Sequence, residues 1–377
     1  MKNNTKILLS SPHMGGGEKK YINDAFDTNW VVPMGPNIDG FEDDLEKYIK
    51  NDKKIICTSS GTAAIHLALI LAGVKLYDEV ICQSMTFSAS ANPIIYLGAK
   101  PIFIDSEEDT WNMCPVALEE AIVDRINKGF KPKAIIVVHL YGMPAKIETI
   151  VSIAKKYEIT LIEDSAESLG SSFKGKKCGS FGDYGILSFN GNKIITTSGG
   201  GALICNTTEQ KNKAVFFATQ AKDDAVHYQH SEIGYNYRMS NVLAGIGRGQ
   251  MEVLDQHIAL RRENNKFYQN LFENIKGVKV FKEFSPDHFS NFWLTCIIID
   301  NKKSNFDNEE LRIALKGENI ESRPLWKPLH LQPVFNTFEF YGSEICENLF
   351  KNGLCLPSGS NLSKEDKVRI SNIIKSI

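Results

Sequence analysis

No stretch of this chain is both apolar and long enough to cross a bilayer; even the run 134–138 (Ala-Ile-Ile-Val-Val) is far short of the roughly 20 residues a spanning helix needs. Metal-type cysteine spacing is missing as well. The eight cysteines, Cys57, Cys82, Cys114, Cys178, Cys205, Cys296, Cys346 and Cys355, include no Cys-x-x-Cys pair and no alternation with histidine. They support neither a zinc site nor a disulfide framework. Cys57, Cys82 and Cys205 lie in apolar runs, where a free cysteine behaves as a small buried hydrophobe. Excess charge of one sign is absent too, with 43 Lys and Arg against 45 Asp and Glu, a net charge of -2. That balance argues against a nucleic-acid or membrane-surface partner, which would require a basic excess. There is no internal repeat and no low-complexity tract. Residues 1–9 are basic but too briefly apolar for a signal peptide. The expectation is a cytoplasmic protein without a nucleic-acid or membrane partner and without a metal site.

What is present is the composition of a globular enzyme, with 377 residues, 42% hydrophobic and 23% charged. From about residue 54 to 205, short β-like runs alternate with helical ones. Strands are expected at 54–58, 79–82, 101–105, 134–138 and 160–163. Helices are expected at 62–72, with Ile65, Leu69 and Ala72 on one face, and at 146–157. Apolar runs around such helices predict an α/β fold with a largely parallel sheet covered on both faces and ligands at the carboxyl ends of its strands. Residues 240–271 lack Pro and read as one or two long helices. The remainder, with a strand at 292–299, reads as a smaller α+β domain. The expected division is a large domain over residues 1–240 and linking helices with a small C-terminal domain over 241–377.

Three segments carry chemistry. Lys193 sits in a polar turn, Asn190-Gly191-Asn192-Lys193, between a strand at 184–189 and another at 202–205. A lysine amine that loses its proton when desolvated can form a Schiff base with a carbonyl compound; a solvated loop lysine has the same local sequence. A second strand ends in Glu163-Asp164-Ser165-Ala166-Glu167. Asp164 suits the carboxylate that keeps the pyridine nitrogen of pyridoxal phosphate protonated, and equally suits a helix N-cap. The third segment, Thr58-Ser59-Ser60-Gly61-Thr62-Ala63, places hydroxyls and glycine where a strand hands over to a helix, an anion site or a plain capped helix start. It is not a P-loop, because no Gly-Lys-Ser/Thr follows.

Taken together, in this chain order, the three resemble the sugar aminotransferases of the DegT family, fold-type I pyridoxal-phosphate enzymes, from Ser11-Pro12-His13 to Pro357-Ser358-Gly359. Within the family the similarity is greatest to the UDP-4-amino-4,6-dideoxy-N-acetylglucosamine transaminases of bacillosamine synthesis, through residues 189–201 and 323–327.

The resemblance implies pyridoxal 5'-phosphate as cofactor, passing through pyridoxamine 5'-phosphate, with L-glutamate and a nucleotide sugar as substrates. It assigns Lys193 to covalent attachment of the cofactor and Asp164 to its pyridine nitrogen. Glu167, one helical turn beyond, falls at the phenolic oxygen; a carboxylate there would repel a phenolate, so it is expected to be protonated or to act through water or substrate. Phe87 matches the aromatic that stacks on the ring, and Thr62, Ala63 and Ser188 match the phosphate contacts. Asn236, with Arg238 as a substitute, matches a residue given by the neighbouring subunit, which implies a homodimer with shared sites. Trp30, Val31, Val32 and Pro33 match the segment bordering the nucleotide sugar, and Arg323, Trp326, Lys327 and His330 would close over it. Retention of Lys193 sets the chain apart from the related sugar dehydratases, which carry His there. A 4-keto sugar of another nucleotide, as in GDP-perosamine or pseudaminic-type synthesis, remains a rival substrate, and a non-catalytic binding relative on the same fold remains a rival of another class.

Overall fold

Ala134–Val138 is buried at every position, and so are Glu79–Gln83 and Gly201–Cys205, the signature of strands covered on both faces. The computed structural model describes residues 5–49 and 52–377, so the first four residues of the basic amino-terminal stretch lie outside it. Helices α1 (Glu18–Asp27) and α2 (Pro36–Ile49) lead into an alternating series: β1 (Lys54–Thr58), α3 (Gly61–Leu71), β2 (Glu79–Gln83), α4 (Asn92–Tyr96), β3 (Lys100–Ile104), α5 (Pro115–Asn127), β4 (Ala134–Val138), α6 (Ile147–Lys156) and β5 (Thr160–Asp164). A short hairpin, β6 (Ser172–Phe173) and β7 (Lys176–Lys177), precedes β8 (Tyr184–Ser188), β9 (Gly201–Cys205), α7 (Thr208–Ala218), α8 (Asn241–Met251) and α9 (Leu254–Phe272). The rest supplies β10 (Val278–Val280), β11 (His288–Phe289), β12 (Thr295–Ile299), α10 (Asn308–Gly317), β13 (Arg323–Pro324), β14 (Phe340–Tyr341), α11 (Ile345–Asn352), β15 (Gly353–Leu356) and α12 (Lys364–Ser376).

The large sheet has the order β1-β9-β8-β5-β4-β2-β3-β14. Only β9 runs against its neighbours in it, pairing antiparallel with both β1 and β8. Successive residues of a strand face opposite sides, and each side has its own core: Ala134 and Ile136 join α3 and α7, whereas Ile135 and Val137 join α5 and α6. The mostly parallel α/β architecture read from the sequence is present. Helix α3 differs from its expected one-sided pattern. It lies between the sheet and α4 and α7, so Ala63 to Leu69 are all buried, and a helix enclosed in this way is apolar all round.

A second sheet, β10-β12-β15-β13, packs on α9, α10 and α12 through Ile297, Leu354, Leu311, Ile370 and Tyr268. Contacts cross the line drawn at residue 240 repeatedly, and β11 pairs antiparallel with β6. Helix α8 packs against α1 and α2, and β14 extends the edge of the large sheet beside β3. The strand expected over 292–299 begins only at Thr295, because Phe292 adopts φ 46° and turns the chain first. Among the described residues no helix is long and apolar enough to cross a membrane.

Candidate active site

The direction of the strands gathers the chemistry. Strand β1 is antiparallel to β9, which is antiparallel to β8, so β1, β5 and β8 end on the same side of the sheet. Thr58, Asp164 and Ser188 are those ends, and a cavity of about 230 Å³ opens there. At one end of it α3 begins. Ser60 is extended (φ -166°, ψ 163°) and its Oγ accepts the Ala63 N–H at 3.0 Å, a cap worth about 1 kcal/mol. The amides of Gly61 and Thr62 are left without partners inside the helix, as a helix start requires. Ser188 faces this start closely. A Cβ on Gly61 would lie 3.2 Å from the Ser188 Cβ, and one on Gly201 would lie 2.3 Å from the Gly61 nitrogen. Only glycine at 201 lets β9 pass beneath the helix start.

Asp164 forms part of the cavity wall, 5% exposed. Its Oδ2 accepts the Ser90 hydroxyl at 2.6 Å, Ser90 is bonded to Thr86 at 2.9 Å, and its Oδ1 accepts the Ala166 N–H at 3.2 Å. No helix follows: residues 165–171 form successive turns closed by Ser168 N–H to Ser165 O and Ser171 N–H to Ser168 O, so Asp164 is not a helix cap and Glu167 does not stand one helical turn away. Glu167 is brought to the cavity by these turns instead. Its Oε2 accepts the Tyr141 N–H at 2.7 Å, and its Oε1 lies 3.6 Å from Lys193 Nζ. Burial raises the Glu167 carboxyl above its ordinary range, against the opposing pull of the Lys193 charge. The Lys193 amine stands over the Trp293 ring, 4.1 Å from its centre. Phe87, about half exposed, and Trp326 close the mouth with ring centres 5.4 Å apart.

A lysine amine, a carboxylate with no cation paired to it among the described residues and a helix start thus face one enclosed space. A model of the DegT/DnrJ/EryC1/StrS aminotransferase family matches residues 12–375. The chain belongs to that family. EpsN of Bacillus subtilis (strain 168), a provisional pyridoxal phosphate-dependent aminotransferase, is 51% identical over 98% of this chain and 95% of its own. The GDP-perosamine synthase of Escherichia coli O157:H7 is 39% identical over 98% and 97%. The UDP-4-amino-4,6-dideoxy-N-acetyl-beta-L-altrosamine transaminase of Campylobacter jejuni is 32% identical over 92% and 91%. A crystal structure of a DegT/DnrJ/EryC1/StrS aminotransferase from Brucella abortus superposes with a TM-score of 0.88 at 28% identity, covering 95% of this chain and 94% of that one.

Aminotransferases of this family depend on pyridoxal 5'-phosphate, and the cavity of this one suits that group. A buried carboxylate held by a hydroxyl and an amide, with no cation beside it, is completed by a protonated ring nitrogen. A helix start of this kind can take a phosphate.

Of the residues singled out by sequence, Thr62, Phe87, Asp164, Glu167, Ser188, Lys193 and Trp326 line the cavity of this aminotransferase. Ala63 does not, and its amide is occupied by the Ser60 cap. Arg238 is turned away and held by Glu42 at 2.8 Å and the Cys57 carbonyl at 3.3 Å. Asn236, Trp30, Val31, Val32 and Pro33 are exposed and do not line this chain's own cavity. Arg323 pairs with Glu321 at 2.9 Å on an exposed strand. His330 stacks on Phe340 and bonds Ser84 at 2.7 Å and Glu347 at 3.2 Å. Lys327 is half-buried outside the cavity, next to Trp326. Sequence reasoning missed Ser90, Trp293 and Tyr141. Tyr141 joins both sides of the site, since its N–H bonds Glu167 and its hydroxyl accepts the Trp326 N–H at 2.8 Å. Its φ of 54° was a signal only in the His-Leu-Tyr-Gly sequence of a tight turn.

Proposed function

We propose that this aminotransferase moves the amino group of L-glutamate to C4 of a UDP-4-keto-6-deoxy-N-acetylhexosamine, releasing 2-oxoglutarate and UDP-4-amino-4,6-dideoxy-N-acetyl-glucosamine, in the cytoplasm. The observation that carries the transamination is the Lys193 amine, enclosed over Trp293 and 3.6 Å from Glu167. When bound, pyridoxal phosphate supplies the carbonyl that accepts the amino group and the ring that accepts electrons. Asp164 holds the ring nitrogen's proton, positioned by Ser90. Gly61, Thr62 and Ser188 bind the phosphate. Lys193 Nζ takes the proton from the donor's α-carbon and returns one to C4 of the sugar, as a desolvated amine can. Glu167 stands beside it in its protonated form, held by Tyr141.

The site is completed by a second copy of the chain. Trp30, Val31 and Val32 are 40%, 48% and 40% exposed, an apolar edge suited to burial between subunits. In that arrangement the partner's copies of this segment and of Asn236 border the nucleotide sugar and the phosphate, and Arg238, fixed by Glu42, positions the segment that carries Asn236.

A GDP-linked 4-keto sugar is the second reading, favoured by the 39% identity to the GDP-perosamine synthase. Incubation with L-glutamate and UDP-, GDP- and dTDP-linked 4-keto-6-deoxy sugars, following 2-oxoglutarate, separates them. Turnover with the UDP sugar alone supports the first reading, and turnover with the GDP sugar alone replaces it by the second.

A further inference from the structure

Arg261, in the first half of α9, is one of the largest fully buried side chains of the molecule, with 1% of its surface exposed. Among the described residues no carboxylate pairs with it. Its guanidinium donates to the Trp293 carbonyl, to Ser10 Oγ at 2.9 Å and to the carbonyl of Lys193 itself at 3.5 Å, and its Nε has no partner. These acceptors form a closed circuit. Ser10 Oγ donates in turn to the Asn192 carbonyl at 2.7 Å, and the Trp293 indole N–H reaches the same carbonyl at 2.7 Å. The face of that indole carries the Lys193 amine.

A buried charge without a counter-ion is unfavourable, and burial works against this one. An arginine nevertheless keeps its proton in a protein, and its planar fork can hold several acceptors in fixed directions. What the fork holds here is the backbone of residues 192–193 and the floor beneath the amine.

We infer that Arg261 is a positioning residue for Lys193: its guanidinium locks the lysine turn and the Trp293 ring into one unit, so that the amine is held at the reacting atoms throughout proton transfer. The inference rests on the reading of Lys193 as the reactive lysine. A small displacement of a group that moves a proton lowers the rate of the chemical step more than it lowers binding.

The test compares wild type with Arg261→Met, which fills the volume without donors, and Arg261→Lys, which restores a donor but not the fork. In the cofactor-free protein, hydrogen exchange is followed at the amides of Lys193, Thr196 and Thr197, which bond Asn190 O, Gln250 Oε1 and Phe189 O. In the loaded enzyme, kcat and KM are measured for both substrates. The expected result for Arg261→Met is exchange at least about tenfold faster in the turn with β4 amides unchanged, and a kcat lower by about 100-fold with KM changed by less than about threefold. Arg261→Lys should fall between the two. Unchanged exchange in the turn overturns the inference, as does faster exchange with kcat retained. Failure of wild-type Lys193 to carry the cofactor would instead remove the functional reading beneath it, whatever the exchange shows.

Discussion

Lys193 Nζ and Glu167 Oε1 are 3.6 Å apart inside the protein, with side-chain exposures of 12% and 4%. Burial raises the Glu167 carboxyl above its ordinary range and so favours the neutral acid. Glutamine keeps the acceptor for the Tyr141 amide and removes the charge. Glu167→Gln should therefore retain the cofactor, melt at or above the wild-type temperature, and lose no more than about tenfold in kcat. Glu167→Ala should lose far more, because it also leaves the Tyr141 N–H unpaired. Steady-state rates and thermal melts of the two variants check this, and a Gln variant as damaged as the Ala variant would show that the charged form is required.

Asp164 is placed by Ser90 and Ala166 with no cation beside it among the described residues. Asn is close in shape but cannot stabilise a protonated ring nitrogen. Asp164→Asn should still bind the cofactor yet lower kcat by at least about 100-fold, the scale seen when one preorganised electrostatic contact is removed from an active site. Equilibrium binding of the cofactor measured alongside turnover separates the two effects; equal losses in both would assign Asp164 to affinity alone.

Much of this site is legible in the sequence because its parts are local. Lys193 between two strands, Asp164 at a strand end and Ser60-Gly61-Thr62 at a helix start are each ambiguous alone but stand out together in their chain order, and the sheet brings their strand ends to one side. Trp293, Tyr141 and Arg261 do not. They act through partners far away in the chain, Trp293 with Asn192 and Arg261 with Ser10, and in sequence a buried Trp is indistinguishable from any core aromatic. Arg261 lies in the charged stretch Arg261-Arg262-Glu263, which reads as the wet face of a helix; only the fold shows the first of the three pointing inward. In the closing segment Trp326 lines the cavity, while Arg323 pairs with Glu321 and His330 bonds Ser84 and Glu347.

His257, also on α9, is buried and stacks on His13 with ring centres 4.7 Å apart. Burial, with the neighbouring His13, lowers its pKa from 6.5 to about 4. The folded protein therefore binds this proton less readily than the unfolded chain does. Its contribution is fully present above pH 6.5 and is lost as the pH falls from 6.5 towards about 4. The melting temperature of wild type relative to His257→Gln should accordingly decline across that window and be constant above it. A difference that does not vary with pH would mean that His257 titrates alike in both states.

Shared active sites predict complementation. Lys193→Ala and Asn236→Ala chains are each expected to be inactive alone. Mixed and re-associated, they would form hybrid dimers with one intact site, recovering up to about a quarter of wild-type turnover by random pairing. No recovery, despite hybrid dimers detected by mass, would place Asn236 and Lys193 in the same chain's site.

Covalent attachment of the cofactor to Lys193 is tested most directly by borohydride reduction of the cofactor-loaded protein, followed by digestion and peptide mass spectrometry. A single phosphopyridoxyl group on Lys193, absent from Lys193→Ala, is the predicted result; a label on another lysine, or none at all in a protein that turns over, would contradict it.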